Sequence, residues 1–203
     1  MAEAAVVAAL RERIRALEGG PLVRRTRVPS GVEALDARIE GLPRPGVVEL
    51  VGAEGTGRTR MAVAMAAAIT RRRCGVAWID AEGEFYPPAA MAHGIDPEHF
   101  LVIRPPARDA VGWAAEQTLR SGCFALVVVA VGAGMRSGPS LARAAEHGQC
   151  TALVVSRRPS RDLPADVRLA ADAQTLVVVR DRATPGGSVP MPSWPAGQDP
   201  WSP

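Results

Sequence analysis

The feature that most constrains this chain is a glycine-rich loop between a predicted strand and a predicted helix. Residues 47–51 are apolar except for Glu49 and mostly β-branched, which predicts a buried strand, and a helix is predicted over residues 58–73. Between them lies Gly52-Ala-Glu-Gly-Thr-Gly-Arg-Thr59, which has the spacing G-x-x-x-x-G-K-[ST] with arginine in the lysine position. In such loops, backbone N–H groups at a helix N-terminus surround a phosphate. The pattern predicts a strand–loop–helix unit of an α/β fold.

The remainder of the central region alternates short apolar strands with helices. Residues 124–131 form the longest apolar run, which is typical of a central parallel strand that is buried on both faces. The alternation predicts a mostly parallel central β-sheet flanked by helices. Further strands are predicted at 75–79, 100–103, 151–156, 167–170 and 174–180, and helices at 88–93, 109–121 and 139–147.

The two ends of the chain differ from this body. Residues 4–18 have apolar side chains three or four positions apart, which predicts an amphipathic helix. From residue 183 onward there are six prolines in 21 residues and no periodicity, which predicts a flexible tail. We therefore divide the chain into an N-terminal helix and linker, a core and a Pro-rich flexible tail, at 1–24, 25–182 and 183–203.

Composition excludes several classes of protein. All 24 basic residues are arginine and the net charge is only +3, which is compatible with nucleic acid as a partner but does not require it. Cys74, Cys123 and Cys150 lack CxxC spacing, so we expect thiols in a reducing compartment rather than a metal site. No apolar run approaches the roughly 20 residues of a membrane span, and the acidic start is unlike a secretory signal. A cytoplasmic location is expected.

Two substitutions in the phosphate-loop pattern argue against ATP hydrolysis. Arg58 replaces the compact ammonium group of lysine with a broad planar fork. The strand at 126–129 ends in Ala130, where an acid would hold magnesium. Losing one well-placed electrostatic group commonly costs about 10²–10³ in rate. We predict a pseudo-ATPase with no metal and no cofactor; the alternative is ATP with magnesium. The loop residues that would contact a nucleotide are Gly52, Glu54, Gly55, Thr56, Gly57, Arg58 and Thr59.

Two acids follow the predicted strand at 75–79. Glu82 is the vestigial candidate for a general base that orients an attacking water. The plainer interpretation, which we favour, is that Asp80 and Glu82 cap the following segment and remain in solvent.

Several spaced segments together resemble one family. Over residues 25–182 they are similar to the core of RecA-type recombinases, which implies a RecA-like P-loop core. The segments are Val28-Pro-Ser-Gly-Val-Glu-Ala-Leu-Asp36, Gly41-Leu-Pro-Arg-Pro-Gly-Val-Val-Glu-Leu-Val-Gly52, Ile79-Asp-Ala-Glu82, Ala92-His-Gly-Ile-Asp96 and Arg120-Ser-Gly-Cys-Phe-Ala-Leu-Val-Val-Val129.

The chain also departs from recombinases. The two DNA-binding loops are reduced to residues 132–138 and 156–162, and neither Ser156 nor Arg157 matches the γ-phosphate sensor. We also expect no separate C-terminal domain. A short chain with an N-terminal helix and an eroded ATP site resembles the ImuA family, accessories of damage-induced (SOS) mutagenesis and translesion synthesis. This resemblance implies contacts with a RecA-type recombinase, an inactive Y-family polymerase homologue and an error-prone replicative-type polymerase.

Two surfaces are candidates for binding, each with a plainer alternative. One hypothesis is that the apolar stripe of the N-terminal helix docks on a recombinase, and the alternative is that it packs against the chain's own core. The stripe consists of Val7, Leu10, Ile14 and Leu17. For four arginines beyond the strand ends, one hypothesis is weak binding to DNA, and the alternative is a solvated loop. These residues are Arg136, Arg157, Arg158 and Arg161. A weak DNA-dependent ATPase, a nucleotide-binding regulator and homo-oligomerisation also remain open.

Overall fold

The computed structural model describes residues 25–132, 138–181 and 186–191. The predicted N-terminal helix, with its stripe residues Val7, Leu10, Ile14 and Leu17, lies outside the described residues, and so does Arg136. Most of the predicted tail also lies outside them.

The described residues alternate strands and helices as the sequence predicts. The strands are β1 (Thr26–Val28), β2 (Leu42–Arg44), β3 (Gly46–Val51), β4 (Val76–Asp80), β5 (Phe100–Ile103), β6 (Leu126–Ala130), β7 (Thr151–Ser156), β8 (Val167–Ala171), β9 (Thr175–Asp181) and β10 (Gly187–Pro190). The helices are α1 (Glu33–Ile39), α2 (Arg58–Thr70), α3 (Pro87–Ala92), α4 (Ala110–Arg120) and α5 (Gly138–His147), with a 3-10 turn at Pro97–His99.

The main sheet has eight strands in the order β10-β9-β8-β3-β7-β6-β4-β5. Strands β8, β3, β7, β6, β4 and β5 run parallel, whereas at one edge β9 pairs antiparallel with β8 and β10 pairs antiparallel with β9. Strands β1 and β2 form a separate antiparallel pair. The prediction of a mostly parallel central sheet flanked by helices is therefore confirmed.

Helices cover both faces of the sheet, which explains why the central strands read as continuous apolar runs. On β3, Val48 and Leu50 pack in the cluster that contains α1 and α2, and Val47 packs in the cluster that contains α4 and α5. Helix α2 is buried along most of its length because its alanines allow close approach to the sheet. None of the helices within the described residues is long and apolar enough to cross a membrane.

A buried carboxylate fixes the loop that follows β7. Glu49 on β3 is fully buried, and its Oε1 accepts a hydrogen bond from the Ser160 N–H at 2.6 Å. Its Oε2 accepts from Nε of Arg168, which lies beside it in register on β8. Since a buried charge needs such partners, Glu49 anchors the arginine-bearing loop to the sheet and sets where Arg157 can lie.

The boundary predicted at 182 lies too early. Residues 187–190 form β10 against β9 instead of belonging to a flexible tail, and the core continues to Met191. Without β10, β9 would be an edge strand with an unpaired row of backbone groups. Val189 buries its side chain in the core, and the Met191 N–H donates to the Gln174 carbonyl at 3.0 Å. Proline and glycine are tolerated here because β10 is itself the outer strand.

Candidate phosphate-loop site

The loop between β3 and α2 has the backbone that the sequence predicts. Gly55 and Gly57 have φ values of 77° and 80°, in the left-handed region that glycine adopts most readily. Helix α2 begins at Arg58, and Gly57, as its N-cap residue, has no side chain to accept from the first turn. The first N–H groups of a helix lack partners within the helix. They are therefore available to an anion at this end of α2.

The Arg58 side chain turns back into the loop. Its Nη1 donates to the carbonyl oxygens of Gly52 at 2.9 Å and Ala53 at 2.6 Å. Burial lowers the pKa of this guanidinium and nearby Arg157 adds to the effect, while Glu54 and Glu84 oppose it. The loop's own carbonyl groups thus hold the cation that would otherwise face a phosphate.

An ion pair crosses the mouth of the loop. Arg157, just after β7, donates through Nη2 to Oε1 of Glu54 at 2.9 Å, and both side chains are largely exposed. Thr59, which offers the hydroxyl expected to bind magnesium, is exposed. The Ser156 hydroxyl donates to the Arg158 carbonyl at 2.8 Å and so faces its own loop.

The first acid after β4 has a structural role. Asp80 is 3% exposed and accepts hydrogen bonds from the N–H groups of Glu84 at 3.1 Å and Phe85 at 3.2 Å, and from Arg104 Nε at 3.0 Å. It caps the following segment, as expected, but the expectation that it remains in solvent is wrong. Three donors offset the cost of burying its charge.

The second acid lies nearer to the loop. Glu82 accepts through Oε2 from Arg108 Nη2 at 2.9 Å, and its side chain is 24% exposed. Its Oε1 lies against Gly132, just after β6, where an added Cβ would approach to 2.9 Å. Glu82 therefore occupies the gap between the ends of β4 and β6, on the wall of the candidate site.

Ala130 lies on the floor of this site. It is in register between Asp80 on β4 and Val155 on β7. A methyl group therefore occupies the position at which an acid would reach a magnesium ion.

A cavity of about 400 Å³ brings most of the predicted site residues together. Predicted residues that line it are Glu54, Gly55, Gly57, Arg58, Thr59, Glu82 and Arg157. Gly52 does not line it, and Thr56 lines a neighbouring cavity instead. Arg158 and Arg161 are exposed on the loop after β7, away from the cavity.

Asp80 and Ala130, which the sequence also singled out, line the cavity, but the sequence did not indicate its aromatic residues or the arginines that pair with the acids. Trp78 and Phe85 stack with ring centroids 4.6 Å apart, and both line the cavity with His93. Arg104 and Arg108 come from the segment after β5 to pair with the two acids. Trp78 lies in a predicted strand. Arg104 and Arg108 reach the two acids because β5 pairs with β4, and no local sequence pattern indicates that pairing.

A family model described as the RecA N-terminal domain matches residues 13–149, more than half of the chain. The chain belongs to that RecA family. The resemblance to the recombinase core is thereby confirmed at the level of the family, whereas membership of the ImuA family remains a prediction.

Curated relatives agree with this assignment to the RecA family. Protein RecA of Salinispora tropica is 34% identical over 111 residues, which are 54% of this chain and 32% of the relative. Protein RecA of Lactobacillus delbrueckii subsp. bulgaricus is 36% identical over 104 residues, 50% of this chain and 31% of the relative. The match to this RecA-domain chain therefore spans about a third of the length of these relatives.

Proposed function

We propose that this RecA-domain chain is a non-catalytic accessory protein of damage-induced mutagenesis that acts through protein–protein contacts. The observation that carries the proposal is Ala130, which lies between Asp80 and Val155 at the end of β6. A phosphate-loop ATPase needs a magnesium-binding acid at such a strand end, and alanine has no ligand atom to offer.

The remaining residues do not fit magnesium–ATP. The Arg58 guanidinium is held by two loop carbonyls, so it must give up those hydrogen bonds before it can contact a phosphate. Asp80 already accepts from three donors, and drawing it towards a metal would leave two backbone N–H groups unpaired. The loss of one such electrostatic group lowers the rate of turnover about 10²–10³-fold. Because two groups are altered here, we expect little turnover.

The partners follow from the resemblance to the ImuA family. A chain with a RecA-like core and no ATP chemistry is suited to join a recombinase filament without continuing its ATP cycle. We therefore propose the RecA-type recombinase as the first partner, and the inactive Y-family polymerase homologue and the error-prone replicative-type polymerase as the others. Exposed Arg158 and Arg161 allow weak, salt-dependent contact with DNA.

The first test measures phosphate release from magnesium–ATP, with and without single-stranded DNA. We expect no release above the protein-free blank, and no change in the Glu82→Gln variant. Turnover that Glu82→Gln abolishes would instead show that the chain is an ATPase. A thermal melt with millimolar magnesium–ATP separates binding from hydrolysis, because a ligand at a hundredfold excess over its Kd stabilises by about 2.7 kcal/mol.

The second test measures contact with the recombinase. We expect the chain to shorten or dissociate a recombinase filament on single-stranded DNA, followed by fluorescence anisotropy of the labelled strand. The double variant Leu10→Asp, Ile14→Asp should lose this effect while its melting temperature is unchanged. A fall in melting temperature would mean that the N-terminal stripe packs on its own core, and full activity of the folded variant would exclude the stripe as the contact.

A further inference from the structure

The cavity beside the phosphate loop has two chemically different zones. Its mouth contains the N-terminus of α2 and charged side chains that include Arg58, Arg157 and Glu54. The rest of its lining, between α2 and the ends of β4, β6 and β7, is mainly apolar, although the carboxylates of Asp80, Glu82 and Glu84 also line the cavity. The apolar interior consists of Val63, Trp78, Phe85, Ala130 and Val155.

The interior contains the buried indole N–H of Trp78. Trp78 is 1% exposed, and its Nε1–H has no acceptor among the described residues. Phe85 covers one side of the indole, with centroids 4.6 Å apart. A buried donor without a partner costs free energy, and an acceptor atom of a bound ligand would remove that cost. Because Trp78 lines the cavity, a ligand there is within reach of it.

Ala130 makes the floor suitable for an apolar group. An acid at this position would stand between Asp80 and Val155 and place a carboxylate on the cavity floor. Alanine leaves a methyl group and additional space there. The substitution that removes a magnesium ligand therefore also leaves this position of the cavity floor uncharged.

We propose that the cavity binds an amphiphilic anion. Its acidic group lies at the uncapped first turn of α2, near Arg58 and Arg157, and its apolar body extends over Ala130 towards Trp78. This inference does not depend on the partner contacts proposed above.

The test uses decanoate as the probe and acetate as the control that has the same acidic group without the apolar body. In the full chain labelled with ¹⁵N, the indole N–H resonance of Trp78 is assigned by its loss in Trp78→Phe. We expect decanoate to shift this resonance and to bind at least tenfold more tightly than acetate, because each buried CH₂ contributes to binding. No shift at saturating decanoate, or equal affinity for the two acids, would overturn the proposal.

Variants of the floor and mouth test the two zones separately. Ala130→Asp should weaken decanoate binding about tenfold or more through repulsion between like charges, and Ala130→Asn, equal in size but neutral, should weaken it less. Arg157→Gln should weaken binding, whereas Arg161→Gln on the same loop, outside the cavity, should not. Equal binding by Ala130→Asp and the unaltered chain would refute the proposed position of the apolar body. The comparison of decanoate with acetate needs no variant and stands even if Ala130→Asp does not fold.

Discussion

The loop after β3 and the ends of β4 and β6 belong to the same site, but they retain different parts of its pattern. The loop keeps its backbone, with Gly55 and Gly57 at positive φ and α2 starting at Arg58. The strand ends keep two acids but lack the third, since β6 ends in Ala130. The glycines that the backbone requires follow the motif and Thr59 also keeps it, whereas Arg58 and Ala130, at two positions that would contact a ligand, depart from it.

Asp80 explains why an acid in a motif need not indicate catalysis. Its carboxylate organises the segment 81–85 through two backbone N–H groups and holds Arg104. The fold therefore accounts for Asp80 without any metal. Glu82, paired with a largely exposed Arg108, has no comparable structural role.

The largest expected effect comes from removing Asp80. Asp80→Ala should lower the free energy of unfolding by about 2–4 kcal/mol, because it leaves buried donors unpaired. Glu82→Ala should cost less than about 1 kcal/mol, since exposed ion pairs contribute little. Urea denaturation of both variants, with Asp80→Asn as a partial replacement, measures the difference. Similar losses for the two alanine variants would mean that the acids do not differ in structural role.

A thiol at the opposite end of the sheet gives a smaller effect that depends on pH. Cys150, just before β7, is fully buried, and this burial raises its pKa from 9.0 to about 11. Between these values the unfolded chain loses the proton while the folded chain keeps it, so stability falls as pH rises from 9 to 11. The loss should reach about 2–3 kcal/mol near pH 11.

The matched control for this thiol is Cys150→Ala. Its free energy of unfolding should be lower near pH 8, where the cavity left by sulfur costs stability, but should fall less steeply above pH 9. Parallel slopes for the two chains would contradict the shift. Unlike Ala130, Cys150 has no ligand to face, so its titration reports only on packing.

Much of the fold could be predicted because strands of the central sheet carry strong local signals. The strand at 151–156 was predicted with its observed bounds, and β3 to within a residue. Strands β1 and β2 were missed because three residues are too few to show an alternation. Strand β10 was missed because its glycine and its proline favour a loop, and only the open edge of β9 makes pairing favourable.

The site could be predicted only in part, for a similar reason. The spacing in the loop identified the residues around Arg58, since that geometry is local. The carbonyl groups that hold Arg58, and the arginines that hold Asp80 and Glu82, are set by the way the loop folds and by the order of strands β5-β4-β6. No spacing in the sequence encodes those contacts.

The smallest expected effect tests the backbone of the loop itself. Gly55→Ala should lower the free energy of unfolding by about 1 kcal/mol, the cost of a left-handed conformation for a residue with Cβ, because no atom lies within 4 Å of the added methyl. Gly57→Ala should cost slightly more, because its Cβ would lie 3.0 Å from Met191 Cε. In a Met191→Ala background this excess should vanish. An excess that persists would mean that the start of α2, rather than the end of β10, sets the requirement for glycine at position 57.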